Sequence, residues 1–109
     1  MKNAITISKL SLCIFFAALM FSCSSKKYEV HVVEIKQMQF QPAVINFQKE
    51  DTIIFVNKDI VLHNVTEQSK AKWSSSTMKP GDTFKLVAKE SCNYFCTLHL
   101  VMKGKIQVQ

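Results

Sequence analysis

The chain has 109 residues, enough for one domain, and 48% of them are hydrophobic. Its 14 basic residues, all lysine, face 8 acidic ones, a net charge of +6 spread along the chain. That dispersal argues against a nucleic-acid binder, which concentrates Arg and Lys on one element with interleaved aromatics.

Lys2 and Lys9 give the start a positive character, and Leu10 to Phe21 is a nearly unbroken apolar run of twelve residues. That length suits the core of a signal peptide and is too short to span a bilayer comfortably. Residues 1–22 therefore read as an export signal. Met20-Phe21-Ser22-Cys23 resembles a bacterial lipobox, which would make Cys23 the lipid-bearing first residue of the mature chain. Met20 stands where leucine is usual, and Phe21 is bulky. The other reading is an ordinary cleaved signal in which Cys23 is an incidental thiol. Cys13 lies inside the apolar run, too early to be modified. Cleavage before Cys23 leaves 87 residues and, with Lys2 and Lys9 gone, a net charge of +4. Such a charge on an exported domain aids solubility and steers docking to an acidic partner. A domain this small buries only about 60–65% of its unfolded surface and is marginal without a staple, of which a metal is one.

Ser24 to Lys27 form a short polar tether to a domain over residues 28–109. Tyr28 to Ile35 alternates as a strand, with His31 in mid-strand and no ligand-type neighbour, a structural histidine. Gln37 to Pro42 turns the chain and sets Met38 and Phe40 two apart. Ala43 to Phe47 is a second strand, and Lys49-Glu50-Asp51 a turn. Thr52 to Val56 is uninterrupted, β-branched and aromatic, the pattern of a central strand buried on both faces. After a turn at 57–59, the apolar run Ile60 to Val65 carries His63 on a neighbouring strand. Gln68 to Met78, with the only tryptophan at Trp73, shows neither period and reads as a long loop with room for one helical turn. Lys79-Pro80-Gly81-Asp82 is a turn, and Thr83 to Val87 a further strand. About seven short strands with regular turn signals indicate an all-β Greek-key sandwich.

Cys92 and Cys96 lie four apart on one strand, so their Cα atoms are about 13 Å apart. A disulfide needs about 7 Å or less, and no bridge fits. Tyr94-Phe95-Cys96 runs into, and Lys105 to Val108 out of, a segment that offers a thiol at Cys96, an imidazole at His99 and a thioether at Met102. With His63 these are two histidines, a cysteine thiolate and an axial methionine, the donor set of an electron-transfer copper site. Taken singly, a buried thiol, a core methionine and a structural imidazole each have ordinary explanations. The ordered set carries the signal.

In order and spacing, M-Q-F-Q-P at 38–42, D-T-I-I-F-V-N-K-D at 51–59, H-N-V at 63–65, K-P-G-D-T-F at 79–84 and Y-F-C-T-L-H-L-V-M-K-G-K-I-Q-V at 94–108 resemble the cupredoxins, the type 1 blue copper proteins of the plastocyanin, pseudoazurin and amicyanin branch. The resemblance covers about residues 30–109 and implies a cupredoxin-like sandwich of seven to eight strands holding one copper ion, Cu(I)/Cu(II), on His63, Cys96, His99 and Met102. It implies that Asn64 ties the first-histidine loop to the cysteine loop, and that Met38 and Phe40 line apolar surroundings that exclude water. Three positions depart from the family pattern. Leu98 stands where proline is frequent, and its free N–H is expected to give the Cys96 sulfur an extra hydrogen bond. Glu90-Ser91 replace the usual glycine before the ligand strand, and Cys92 stands at a frequent tyrosine, as a core residue and not a ligand.

The function these readings imply is one-electron transfer between larger protein redox partners, such as a cytochrome c and a terminal reductase or oxidase. Electrons would pass the edge of His99, flanked by a docking patch of Leu98, Leu100 and Val101. The expected location is the bacterial cell envelope, lipid-anchored and facing the periplasm, as a monomer. The alternative is a copper carrier or resistance protein that hands over the metal and not the electron; no Met-rich tract favours it. An enzyme acting alone is not expected, because only His31 remains to build a second copper centre.

Overall fold

Alternating side chains pair into two four-stranded sheets in the computed structural model, which describes residues 25–109. The export signal and Cys23 lie outside the described residues. The strands are β1 (Val30–Lys36), β2 (Gln39–Gln41), β3 (Val44–Phe47), β4 (Thr52–Asn57), β5 (Thr66–Glu67), β6 (Thr83–Val87), β7 (Cys92–Phe95) and β8 (Lys103–Val108). One sheet has the order β2-β1-β4-β6 and the other β3-β8-β7-β5. Each sheet is mixed, since β1 runs parallel to β4 and β3 parallel to β8. The result is an all-β, eight-stranded cupredoxin-like sandwich. No helix among the described residues is long and apolar enough to cross a membrane.

Period two decides which side chains meet between the sheets. In β4, Ile53, Phe55 and Asn57 are fully buried, whereas Ile54 and Val56 are only half-buried. The apolar run thus makes a strand central within its sheet, not one covered on both faces, because a two-layer sandwich covers each sheet once. Phe40 and Phe55 meet the Tyr94 ring edge-on at centroid distances of 4.9 and 5.2 Å. Trp73 stacks on Phe84 at 6.1 Å and extends this aromatic core.

Three local readings are corrected by turns and by side chains that bond to backbone. Residues 60–65 are not a strand. The Asn57 side chain accepts from Asp59 N–H at 2.9 Å and donates to Val61 O at 3.0 Å, which bends the chain away from any ladder. Only His63 forms a bridge, to Met78, before β5 begins at Thr66. The β1–β2 connection is a two-residue turn in which Gln37 and Met38 take φ of 54° and 59°, as a tight hairpin requires. Met38 is therefore 39% exposed in the turn, while Phe40 enters the core; the two do not share a face. In the 68–78 loop no helical turn forms. Instead the buried Glu67 carboxylate accepts the N–H groups of Ser69, Lys70 and Lys72, and the Ser69 hydroxyl.

His31 does have ligand-type neighbours. Parallel pairing of β1 with β4 sets Glu29, His31 and Asp51 together, with ligand atoms within 4.8 Å of one another. The Asp51 carboxylate is already committed: it accepts the N–H groups of Glu29 and Gln48 and lies 2.9 Å from His31 Nε2. These bonds, the Glu29 N–H foremost, hold its pKa at about 2. His31 is structural in this arrangement.

Opposite Tyr94, β8 carries Gly104, and a Cβ there would lie 2.2 Å from the Tyr94 ring. Replacing Gly104 with Ala is expected to cost about 1–3 kcal/mol in urea unfolding, through overpacking. Glu67 supplies a pH signature. Its pKa falls from 4.5 to about 2, chiefly through the Ser69 hydroxyl, so its contribution is complete above about pH 4.5 and is lost as pH falls toward 2. Unfolding free energy should decline across that window, and Glu67→Gln should flatten the decline.

Candidate metal centre

Antiparallel pairing of β7 with β8 brings the two ends of the 96–102 segment side by side. The segment then closes on its own backbone. Cys96 N–H donates to Met102 O at 3.2 Å, His99 N–H to Cys96 O at 3.3 Å and Met102 N–H to His99 O at 3.0 Å. Cys96 and Met102 are buried by this closure, and His99 is left half-buried at the surface.

His63 comes from the other sheet's side of the molecule, at the end of the irregular 58–62 stretch. Its backbone is clamped in both directions to Met78, N–H to O at 3.2 and 2.8 Å. The ring is fully buried, with Nδ1 lying 3.9 Å from Cys96 Sγ and Nε2 lying 2.8 Å from Asp59 Oδ2. The Asp59 carboxyl is held below the usual carboxylate range, first by the Met38 backbone N–H and also by His63, so it is ionised and only accepts. His63 Nε2 is therefore the donor to Asp59, and in the neutral ring the lone pair lies on Nδ1, on the side of the sulfur.

This pair fits a metal ion. Metal–sulfur and metal–nitrogen bonds of about 2.3 and 2.0 Å, as zinc makes, are together long enough to span the 3.9 Å separation, so one ion could bond both. The His99 ring stands 4.9 Å from the His63 ring, centroid to centroid. Its Nε2 donates to Leu62 O at 3.2 Å, which likewise leaves Nδ1 as the free lone pair. Among the described residues, His99 does not close a three-atom donor group with His63 and Cys96, as Glu29, His31 and Asp51 do. Cys96 and His63 are thus brought together, and His99 and Met102 lie in the closed loop beside them.

Asn64 joins the two loops. Its Nδ2 donates to Thr97 Oγ1 at 2.6 Å, and its Oδ1 accepts Thr97 N–H at 2.9 Å. Its backbone N–H points at Cys96 Sγ from 3.4 Å. Among the described residues Leu98 N–H makes no bond to that sulfur, so the extra bond expected from a non-proline at 98 is absent. The sulfur's donor comes from the opposite loop. Phe40 packs on Tyr94 in the aromatic core, and Met38 reaches the site only through its N–H on Asp59, at 3.0 Å. Leu98, Leu100 and Val101 are 50%, 66% and 86% exposed around His99. Ile60 and Leu62, at 91% and 47%, are exposed on the loop whose Leu62 carbonyl bonds His99. Sequence reasoning missed Asp59. Its only signal was an acidic side chain four residues before His63, a spacing without meaning until the loop's path is known.

Residues 27–109 match the copper binding proteins of the plastocyanin/azurin family. Amicyanin from Paracoccus denitrificans is 27% identical over 84 residues, 72% of this chain and 64% of amicyanin, so the chain spans less than two thirds of that relative. Among solved structures, a reduced amicyanin variant is similar at a TM-score of 0.69 and 27% identity, covering 73% of this chain and 82% of that one. A purple cupredoxin from Nitrosopumilus maritimus, 20% identical, shares the fold at a TM-score of 0.68, over 72% of this chain and 99% of its own. On the extent of the family match and the shared architecture, the chain belongs to the plastocyanin/azurin family of copper binding proteins.

Proposed function

We propose that this protein is a one-electron carrier and not an enzyme, with a type 1 copper ion held by His63, Cys96, His99 and Met102. The observation that carries this reading is the buried Cys96–His63 pair, with Nδ1 facing the thiol at 3.9 Å, in a chain of a copper-binding family. Copper supplies the Cu(II)/Cu(I) couple when bound. The protein's residues supply the rest. Cys96 offers a thiolate sheltered from water, His63 and His99 offer nitrogens suited to both oxidation states, and Met102 offers a weak thioether from the same closed loop. Donors fixed before the metal arrives limit rearrangement when the charge changes. Amicyanin, the relative above, has structures described as holding Cu(I), as reduced and as oxidised.

His99 is the donor nearest solvent, and two loops meet at it with exposed Leu98, Leu100, Val101, Ile60 and Leu62. That apolar surface suits brief docking of a protein redox partner, and the scattered lysines add salt-sensitive attraction to an acidic one. A lipid on Cys23, with residues 24–27 as tether, would hold the domain at a bacterial membrane facing the periplasm. Residues 25–29, exposed and outside any strand, are compatible with such a tether.

Titrating the metal-free protein with Cu(II) should give an intense blue thiolate-to-copper band at one equivalent. Ascorbate should bleach the band reversibly, and Cys96→Ser should abolish it. Colourless or irreversibly reduced copper would instead favour the copper carrier. Val101→Asp should leave the spectrum intact while slowing bimolecular electron transfer about tenfold, equivalent to ~1.4 kcal/mol of docking free energy. Stopped-flow mixing with a reduced cytochrome c would measure it.

A further inference from the structure

The 57–63 loop is held by more bonds than a turn needs, and they set the place of one carboxylate, Asp59. Asp59 N–H donates to Asn57 Oδ1 at 2.9 Å. Asn57, itself fully buried, donates to both Val61 O and Met78 O, at 3.0 and 2.9 Å. Asp59 Oδ2 in turn receives Met38 N–H at 3.0 Å, from the tight β1–β2 turn, and lies 2.8 Å from His63 Nε2. The Asp59 side chain is only 15% exposed. The β1–β2 turn and His63 bond this carboxylate directly while Asn57 holds the Asp59 backbone, and the bonded ring's opposite nitrogen faces Cys96.

We propose that Asp59 is a positioning residue for the metal centre, locking His63 as the Nε2–H tautomer and placing a fixed negative charge behind its ring that favours Cu(II) over Cu(I). The proposal rests on the copper reading above and adds to it a residue that sets the potential. The chemistry is that of a carboxylate–histidine–metal chain. An anionic acceptor on the outer N–H raises the basicity of the inner nitrogen, and partners of this kind are worth about 10–100-fold in metal affinity. The effect is larger for the more highly charged oxidation state, since the added charge interacts with the ion through a buried ring. Asp59 thus pulls the potential down, whereas the Asn64 N–H on the Cys96 sulfur, by stabilising negative charge there less when copper is oxidised, pulls it up.

The test compares wild type, Asp59→Asn, Asp59→Glu and Asp59→Ala in two measurements. In metal-free protein, nitrogen-15 NMR should show His63 as the Nε2–H tautomer in the wild type and in Asp59→Glu. In Asp59→Ala the ring should become a tautomer mixture. In copper-loaded protein, voltammetry should show Asp59→Asn shifted upward by about 59 mV or more, a tenfold change in the Cu(II)-to-Cu(I) affinity ratio. Asp59→Glu should return most of that shift, which a merely structural role would not do. A wild-type potential retained in Asp59→Asn, or an unchanged tautomer in Asp59→Ala, would overturn the proposal. Failure of the copper reading would show separately, as a wild type without a blue band.

Discussion

The two ends of the candidate metal centre are 33 residues apart in sequence, and one amide side chain ties them together. Asn64 exchanges two hydrogen bonds with Thr97, and its backbone N–H reaches the Cys96 sulfur. Its neighbour in the chain is His63, and the neighbour of Thr97 is Cys96. Fastening 64 to 97 therefore sets the histidine nitrogen opposite the thiol. The entropy of closing that long loop is met by the fold and these bonds. A donor pair ordered in advance also resists moving when the charge of a bound ion changes.

The sandwich exists to keep those loops in register. β4 is the spine, paired in parallel with β1 and antiparallel with β6. Its first end carries Asp51, which gathers the Glu29 and Gln48 N–H groups and His31. Its last residue, Asn57, organises the loop that delivers Asp59 and His63, about 20 Å away along the strand. Between them Ile53 and Phe55 face inward to the aromatic core, where Tyr94 covers Gly104. Each pole is thus built around a carboxylate engaged by backbone N–H groups and a histidine. At one pole the histidine stands among carboxylates; at the other its second ring nitrogen faces a thiol.

Much of this was legible because it is local. Alternation over 30–35 and 52–56 marks strands whatever else the chain does, and Cys96, His99 and Met102 lie in one short segment whose spacing is visible in one dimension. The misreadings share a cause. Ile60 to Val65 has the composition of a strand, but Asn57 bonds its backbone into a bend, and its first three side chains stay exposed. Met38 and Phe40 satisfy period two on paper, yet the tight turn falls on Met38 and removes it from the face that Phe40 joins. The Leu98 N–H was a reasonable donor for the neighbouring sulfur, but Asn64 N–H arrives from the other loop.

By itself the sequence determined the all-β class and the approximate strands, which follow from short-range periodicity. It offered a thiol, imidazoles and a thioether as candidate donors by their chemistry and spacing, and the asparagine beside the first histidine by resemblance to a family. Only the tertiary structure decided that β1 and β4 run parallel, so that His31 meets Asp51, and that the 57–63 loop folds back to set Asp59 on His63 Nε2. Only it decided that Glu67 collects the N–H groups of its loop. These partners are chosen by strand register and by backbone groups left unpaired in bends, and both arise only when distant segments pack.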